Sequence, residues 1–243
     1  MDIGQEQSCS HVVQLAWSAS GLAIHDRPIL AIVTANGIAS LWMSLTDTTE
    51  AGSWQRVLVV NNHMGTPVQR ASLYEGAISG VDWLFVPYAE SGEVQTNGDF
   101  ILGVASNAGN IRLFKVSSPY CGRSKDWTLS QLCVFELPTV ASTESNGHLF
   151  NNWMERNTGA TQIGFGPLFG QAEYFNSLLS CVSTENLNLF SIRLQRSMEG
   201  DIHAHVKPLA AMLGSSLREP VWCRLPDVSF FQIQHGHSRS RSH

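Results

Sequence analysis

Apolar and polar positions along this 243-residue chain fall into three patterns that recur, in fixed order, three times. The first alternates and then reaches an aromatic: Val13-Gln14-Leu15-Ala16-Trp17-Ser18, Ile78-Ser79-Gly80-Val81-Asp82-Trp83 and Thr161-Gln162-Ile163-Gly164-Phe165. The second is an almost wholly apolar or small run closed by a polar turn, at 29–37, 100–109 and 177–186. The third follows at once and again carries an aromatic: Ile38-Ala39-Ser40-Leu41-Trp42, Ile111-Arg112-Leu113-Phe114 and Leu187-Asn188-Leu189-Phe190. Alternation at period two marks a strand with one face better buried than the other. A continuous apolar run marks a strand covered on both faces. The Asn36-Gly37, Ala108-Gly109-Asn110 and Glu185-Asn186 junctions are tight hairpin turns into the next strand. A fourth strand follows two of the copies, at 55–60 and 131–137. Its third counterpart, 205–213, is a poorer strand because Pro208 interrupts it.

Four strands joined by hairpins form one propeller blade, so the expected fold is all-β: a WD40-like β-propeller with about three blades present. The third-pattern aromatics Trp42, Phe114 and Phe190 stand 72 and 76 residues apart, more than the roughly 40–45 of a WD40 unit. The excess lies in polar inserts at 61–76, 87–99 and 139–158, expected on loops at the propeller faces. No sustained 3.6-residue periodicity appears, so helix is minor. The expected blades span about 11–76, 77–138 and 159–213. A polar segment at 1–10 precedes them, strand-like pieces at 220–233 open a partial fourth, and a polar tail at 234–243 is expected to be disordered. Three blades do not close a ring, which reads as a fragment, a truncated product or an incomplete propeller. The central runs 29–34, 100–105 and 178–183 are expected to be paired on both sides. Trp17, Trp42, Trp83, Phe114, Phe165 and Phe190 are expected to pack between blades. Trp54, Trp127 and Trp153 fall in inserts or late strands and are candidate interface anchors, as loop aromatics commonly are.

Composition narrows the function. Charged residues make up only 14% of the chain, below the roughly one quarter of ordinary soluble domains, and no stretch approaches the roughly 18 apolar residues of a membrane span. A net charge of −5 argues against a non-specific grip on phosphate backbones. The polar, acidic start carries no secretory pattern. Five scattered cysteines without a CxxC pair, two of them inside apolar runs (Cys133 and Cys181), read as free thiols of a reducing compartment. His203-Ala204-His205 and His235-Gly236-His237 have no partner at a spacing that completes a zinc site. His25-Asp26-Arg27 stands without a glycine loop or magnesium ligand and reads as a turn. Gly164-Phe165-Gly166 is followed by no Lys-Ser/Thr, and Gly214-Ser215-Ser216 lacks a nucleophile elbow. No catalytic, cofactor or metal residue is assigned, and the chain is not expected to be an enzyme.

The segment His11-Val12-Val13-Gln14-Leu15-Ala16-Trp17-Ser18-Ala19-Ser20-Gly21-Leu22, with Ile29-Leu30-Ala31-Ile32-Val33-Thr34-Ala35-Asn36 and Ala39-Ser40-Leu41-Trp42, resembles the N-terminal propeller of the 90-kDa-type subunit of transcription factor IIIC, as found in fungi. Ala19 stands where that family usually has proline, and Met43 where an acidic residue usually follows the tryptophan. The Asp-His-Ser-Trp hydrogen-bond network of ordinary WD repeats is missing. The resemblance implies a nuclear scaffold in a six-subunit factor that brings the RNA polymerase III machinery to transfer-RNA genes, with other protein subunits as partners and at most indirect contact with nucleic acid. Acetyltransferase activity has been ascribed to an animal relative, but no acetyl-CoA loop is present here. Two other readings stand beside it: a propeller scaffold of another chromatin or trafficking complex, and an enzyme with a site in the central channel. The last requires charged or histidine side chains converging from several blades.

Overall fold

The computed structural model describes residues 11–46, 53–64, 77–88, 98–121, 124–137, 162–171, 174–182, 186–197, 200–213, 221–224 and 229–232. These residues form three antiparallel sheets and one separate hairpin, with no α-helix among them. Blade 1 is β1 (Val12–Trp17), β2 (Leu30–Thr34), β3 (Ala39–Ser44) and β4 (Trp54–Val59), paired in chain order. Blade 2 repeats this order with β5 (Ile78–Pro87), β6 (Gly98–Ser106), β7 (Asn110–Ser117) and β8 (Thr128–Glu136). In blade 3 the first strand is split into β9 (Gln162–Phe165) and β10 (Phe169–Gln171). Both pair with β11 (Tyr174–Val182), which is followed by β12 (Asn186–Arg196) and β13 (Ile202–Leu213). The hairpin β14 (Val221–Arg224) and β15 (Ser229–Gln232) comes last. The fold is an open, partial β-propeller.

The repeat extends to irregularities of register. In every blade the third-to-fourth-strand ladder shifts at a leucine–aromatic dipeptide: Leu41/Trp42, Leu113/Phe114 and Leu189/Phe190. The extra residues on the fourth strands are Val57, Leu132 and Leu209, each one more residue than its partner strand can match. A bulge of this kind bends the strand and increases its twist, which lets the outer edge of each blade turn away from the inner one. The first strands of blades 1 and 2 carry a matching pair of shifts, at Val12/Gln14 and Ile78/Gly80. The hairpins between second and third strands also match. Gly37 (φ 73°) and Gly109 (φ 79°) hold the left-handed position and donate to Thr34 and Ser106 carbonyls, a position glycine occupies without steric penalty. At Gly37 the neighbouring blade adds a second constraint, because a Cβ there would lie 2.5 Å from Ala77 Cβ.

Each central strand is paired on both sides: β2 with β1 and β3, β6 with β5 and β7, β11 with β9 and β12. Ser183, at the end of the third expected run, lies outside the described residues. The strand 205–213 is better formed than its proline suggests: β13 pairs with β12 along its length. Pro208 is tolerated because β13 is the outermost strand of its sheet and the proline sits beside the bulge at Leu209, where the ladder is already interrupted.

Two cores lie between the three blades. The first joins Ala31, Val33, Leu41, Met43 and Leu58 of blade 1 to Val81, Phe100, Leu102, Phe114 and Val116 of blade 2. The second joins Leu84, Ile101, Ala105, Ile111 and Leu113 of blade 2 to Ile163, Phe165, Leu179, Phe190 and Ile192 of blade 3. The repeated aromatics therefore point consistently toward the preceding blade: Trp83 and Phe114 toward blade 1, Phe165 and Phe190 toward blade 2. Phe114, Phe165 and Phe190 are buried, at 1%, 9% and 2% exposure, and Trp83 is half-buried. The expectation of burial fails at Trp17, which is 54% exposed, and Trp42 is only half-buried. Both point the same way as their counterparts, but among the described residues no blade precedes the first to bury them.

Candidate interaction surfaces

The leading flank of blade 1 follows from the pairing. Leu15 stands opposite Ile32, and Ile32 opposite Ser40; Trp17 stands opposite Leu30, and Leu30 opposite Trp42. Directly opposed residues share a sheet face. Leu15, Trp17, Leu30, Ile32 and Trp42 thus form one apolar surface, all half-buried or exposed. Trp54 extends it, with its ring 5.8 Å from that of Trp17. Trp42 Nε1 is satisfied locally by Ser40 Oγ at 2.9 Å. Trp54, expected in an insert or a late strand, is the first residue of β4 and half-buried.

A second aromatic surface sits at the corner between β7 and β8. Tyr120 and Trp127 meet edge to face with centroids 6.3 Å apart, Tyr120 exposed and Trp127 half-buried against the first core. The corner is anchored on blade 1. Ser118 Oγ donates to Leu22 O at 2.6 Å, and Cys121 Sγ to Gly21 O at 3.2 Å. Trp153 lies outside the described residues.

The innermost strands β1, β5 and β9 stand side by side and show what the centre can do chemically. Gln14 bridges the first seam: its Nε2 donates to Val81 O at 2.8 Å and its Oε1 accepts from Val81 N at 3.1 Å. Trp83 Nε1 returns a bond to Ala16 O at 3.2 Å. At the second seam Asp82 Oδ2 accepts from Phe165 N at 2.7 Å. Burial pushes the Asp82 carboxyl above the ordinary carboxylate range, against the lowering effect of the hydrogen bonds from Phe165 and Trp83 N–H. Asp82 is the single ionisable side chain on the described residues of these three strands, and it is committed to a backbone amide. No group of three or more metal-ligating side chains occurs among the described residues. His203 and His205 are exposed on β13, and His25 occupies a 3-10 turn at φ 57°. Cys121, Cys133 and Cys181 are free thiols; burial pushes Cys133 up to about 11 and raises Cys181 further.

The most connected polar group went unrecognised in the sequence. Asp99, at the edge of an expected insert, is the second residue of β6 and 2% exposed. Its carboxylate meets Lys115 Nζ at 3.0 Å, Arg196 Nη2 at 3.0 Å and the Tyr88 hydroxyl at 2.6 Å. Arg196 comes from blade 3, donates also to the Val86, Pro87 and Tyr88 carbonyls, and stacks 4.4 Å from the Tyr88 ring centroid. The cluster ties blades 2 and 3 together at the Pro87 end of β5 with charge-assisted bonds. The only signal available beforehand was an aspartate next to an apolar run, and Arg196 lies 97 residues away in sequence.

No curated protein sequence matches this chain. The family described as the transcription factor IIIC subunit delta beta-propeller domain matches residues 1–225. That match spans all three blades and the first strand of the terminal hairpin. It is a family of transcription factor subunit propellers and not an enzyme family, and this chain belongs to it.

Proposed function

We propose that the chain is a protein-interaction scaffold of transcription factor IIIC, acting in the nucleus in RNA polymerase III transcription initiation at transfer-RNA genes. The family match across the whole blade region carries this reading. The geometry supports it in kind. Backbone and side-chain bonds across both seams, with the Asp99–Arg196 cluster at the second, make a rigid frame, and the Tyr120–Trp127 corner presents aromatic area outside the cores. Rigid aromatic side chains held on a fixed scaffold are the usual anchors of protein interfaces. Its partners are the factor's other protein subunits, with nucleic acid reached through them and no small-molecule substrate.

The test is affinity purification of the natural gene product from its source cells, with co-purifying proteins identified by mass spectrometry. Other subunits of the factor are expected, and Tyr120→Ala, at the exposed member of the pair, is expected to weaken their recovery with only a small change in the thermal unfolding midpoint. Recovery of a complete but unrelated assembly would overturn the reading.

A further inference from the structure

The corner between β7 and β8 holds two aromatic side chains in place. Its 3-10 turn, Pro119–Cys121, is tied to the β1–β2 turn of blade 1 through the Ser118 bond to Leu22 O and the Cys121 bond to Gly21 O. That second turn is itself fixed. His25 and Asp26 are consecutive non-glycine residues at φ 57° and 55°, a backbone region that residues with a side chain seldom occupy. Gly21 N donates to Asp26 O at 2.9 Å and Ala23 N to Arg27 O at 2.8 Å, which closes the turn. Trp127 packs on the first core, and Tyr120 meets it edge to face. A partner that binds here therefore orders little that is not already ordered.

The pair differs from the seam tryptophans in its polar atoms. Trp42 Nε1 donates to Ser40 Oγ, and Trp83 Nε1 to Ala16 O. Among the described residues, neither Trp127 Nε1 nor the Tyr120 hydroxyl has a hydrogen-bond partner, and Trp127 Nε1 reaches solvent. The carbonyls on the blade 1 side, at Gly21, Leu22, Asp26 and Arg27, are already engaged. What the corner offers is aromatic area and two free donors. Lys125 and Asp126, both exposed just before Trp127, are of opposite sign, so net charge selects no partner.

We propose that this corner docks a proline-rich segment of a partner protein in the polyproline II conformation. The proposal rests on the reading of the corner as a docking surface and is independent of which assembly supplies the segment. The chemistry is complementary. Proline rings pack on aromatic faces, and the preformed helix loses little entropy on docking. Its carbonyls make no internal hydrogen bonds and proline brings no N–H, so acceptors meet the two donors. A β-strand carries as many backbone donors as acceptors, and a helix spends its carbonyls internally. Either would cover Trp127 Nε1 and the Tyr120 hydroxyl without supplying backbone acceptors in excess, and a buried unpaired donor is costly.

The test fixes the 243-residue chain to a sensor surface, which keeps copies apart, and passes decaproline over it, with a glycine–serine peptide of equal length as reference. Saturable binding of decaproline is expected, and none of the reference. Trp127→Phe keeps a ring and removes the N–H, while Tyr120→Phe removes only the hydroxyl. Each is expected to weaken decaproline binding about three- to tenfold, the range for one lost hydrogen bond, with an unchanged circular dichroism spectrum. Trp17→Phe, on the flank of blade 1, is expected to bind as wild type. Equal binding of the two peptides overturns the proposal, and so does decaproline binding that neither corner variant weakens. If decaproline fails while Tyr120→Ala still reduces the recovery of co-purifying subunits, the docking surface stands and the proline chemistry falls.

Discussion

Trp17 and Trp42 of blade 1 occupy the same repeat positions as Phe165 and Phe190 of blade 3, yet Trp17 is exposed and Trp42 half-buried while both phenylalanines are buried. The two pairs share strand, register, the adjoining bulge and the direction in which they point. What differs is the neighbour. A repeat in sequence specifies which way a side chain faces, and burial comes only when the adjacent unit is there to receive it. The aromatic positions of this chain are therefore one design with two energetic outcomes, and substitutions at equivalent positions separate them.

The largest difference is expected at Phe190→Ala. Truncating a fully buried aromatic removes its transfer free energy and leaves a cavity, about 3–5 kcal/mol in well-packed cores. Phe190 also packs on Phe135 of blade 2 at 5.0 Å, so the loss falls on the seam. Urea unfolding is expected to show a midpoint shift several times that of Trp42→Ala, whose flank is half open. Equal shifts would mean that Trp42 is covered and the comparison is wrong.

Asp99→Ala tests whether the second seam is held by charge as well as by packing. Removing one member of a buried ionic cluster strands the others, typically at about 3–5 kcal/mol, and here Arg196 and Lys115 would both lose their carboxylate. The double variant Asp99→Ala with Arg196→Met is expected to recover part of the loss. Strict additivity of the two substitutions would show that the pair is not coupled.

Gly103→Ala is a smaller probe of the same seam. The added Cβ meets Phe165 Cε2 at 2.8 Å and Cζ at 2.9 Å, and overpacking of this kind typically costs about 1–3 kcal/mol. The double variant with Phe165→Leu is expected to be less unstable than the sum of the two single changes. An unchanged unfolding midpoint for Gly103→Ala alone would show that Phe165 does not pack as described.

Asp82 supplies a pH-dependent signature. Burial raises its folded-state carboxyl above the unfolded value, so the folded chain holds this proton more tightly than the unfolded one. Its contribution is therefore most favourable below the unfolded value and is lost as pH rises through the folded one. Asp82→Asn keeps an oxygen to accept from Phe165 N and removes the charge. The variant is expected to lack this fall in stability between the two values and to be at least as stable as wild type at neutral pH. Chemical denaturation across the acid range checks it, and a steeper loss in the variant would reverse the sign.

The strand frame was legible because it is written in local pattern. Period-two alternation, continuous apolar runs and Asn-Gly or Ala-Gly junctions place the central strands and their turns without reference to neighbours. Pro208 misled because a proline's effect depends on whether its strand is an edge and where a bulge falls, which only the assembled sheet determines. The exposure of Trp17 and the Asp99–Arg196 cluster were illegible for a related reason. Each depends on residues of another blade, and sequence separation near one hundred carries no local trace.

The smallest expected effect on stability, and the most telling for the opening comparison, is at Trp17→Ser. Trp17 is more than half exposed, and its main described partner is Trp54, an aromatic pair worth about 0.5–1.5 kcal/mol, so the unfolding midpoint should move little. Association should change more. The flank of Leu15, Trp17, Leu30, Ile32, Trp42 and Trp54 is a contiguous apolar surface, and soluble monomers rarely expose such patches beyond a few hundred Å2. A net charge of −5 provides only modest repulsion between copies. The isolated chain is expected to self-associate at micromolar concentration in sedimentation velocity, and Trp17→Ser to shift it toward monomer without altering the fold. The substitution interrupts the patch at its most exposed member while leaving both seams intact. Phe165→Ser, at the equivalent position of blade 3, is expected to do the opposite: it opens a seam, destabilises the chain and increases aggregation. A wild-type chain that sediments as a single monomer would mean that the flank is already covered, and that Trp17 and Phe165 differ less than their exposures indicate.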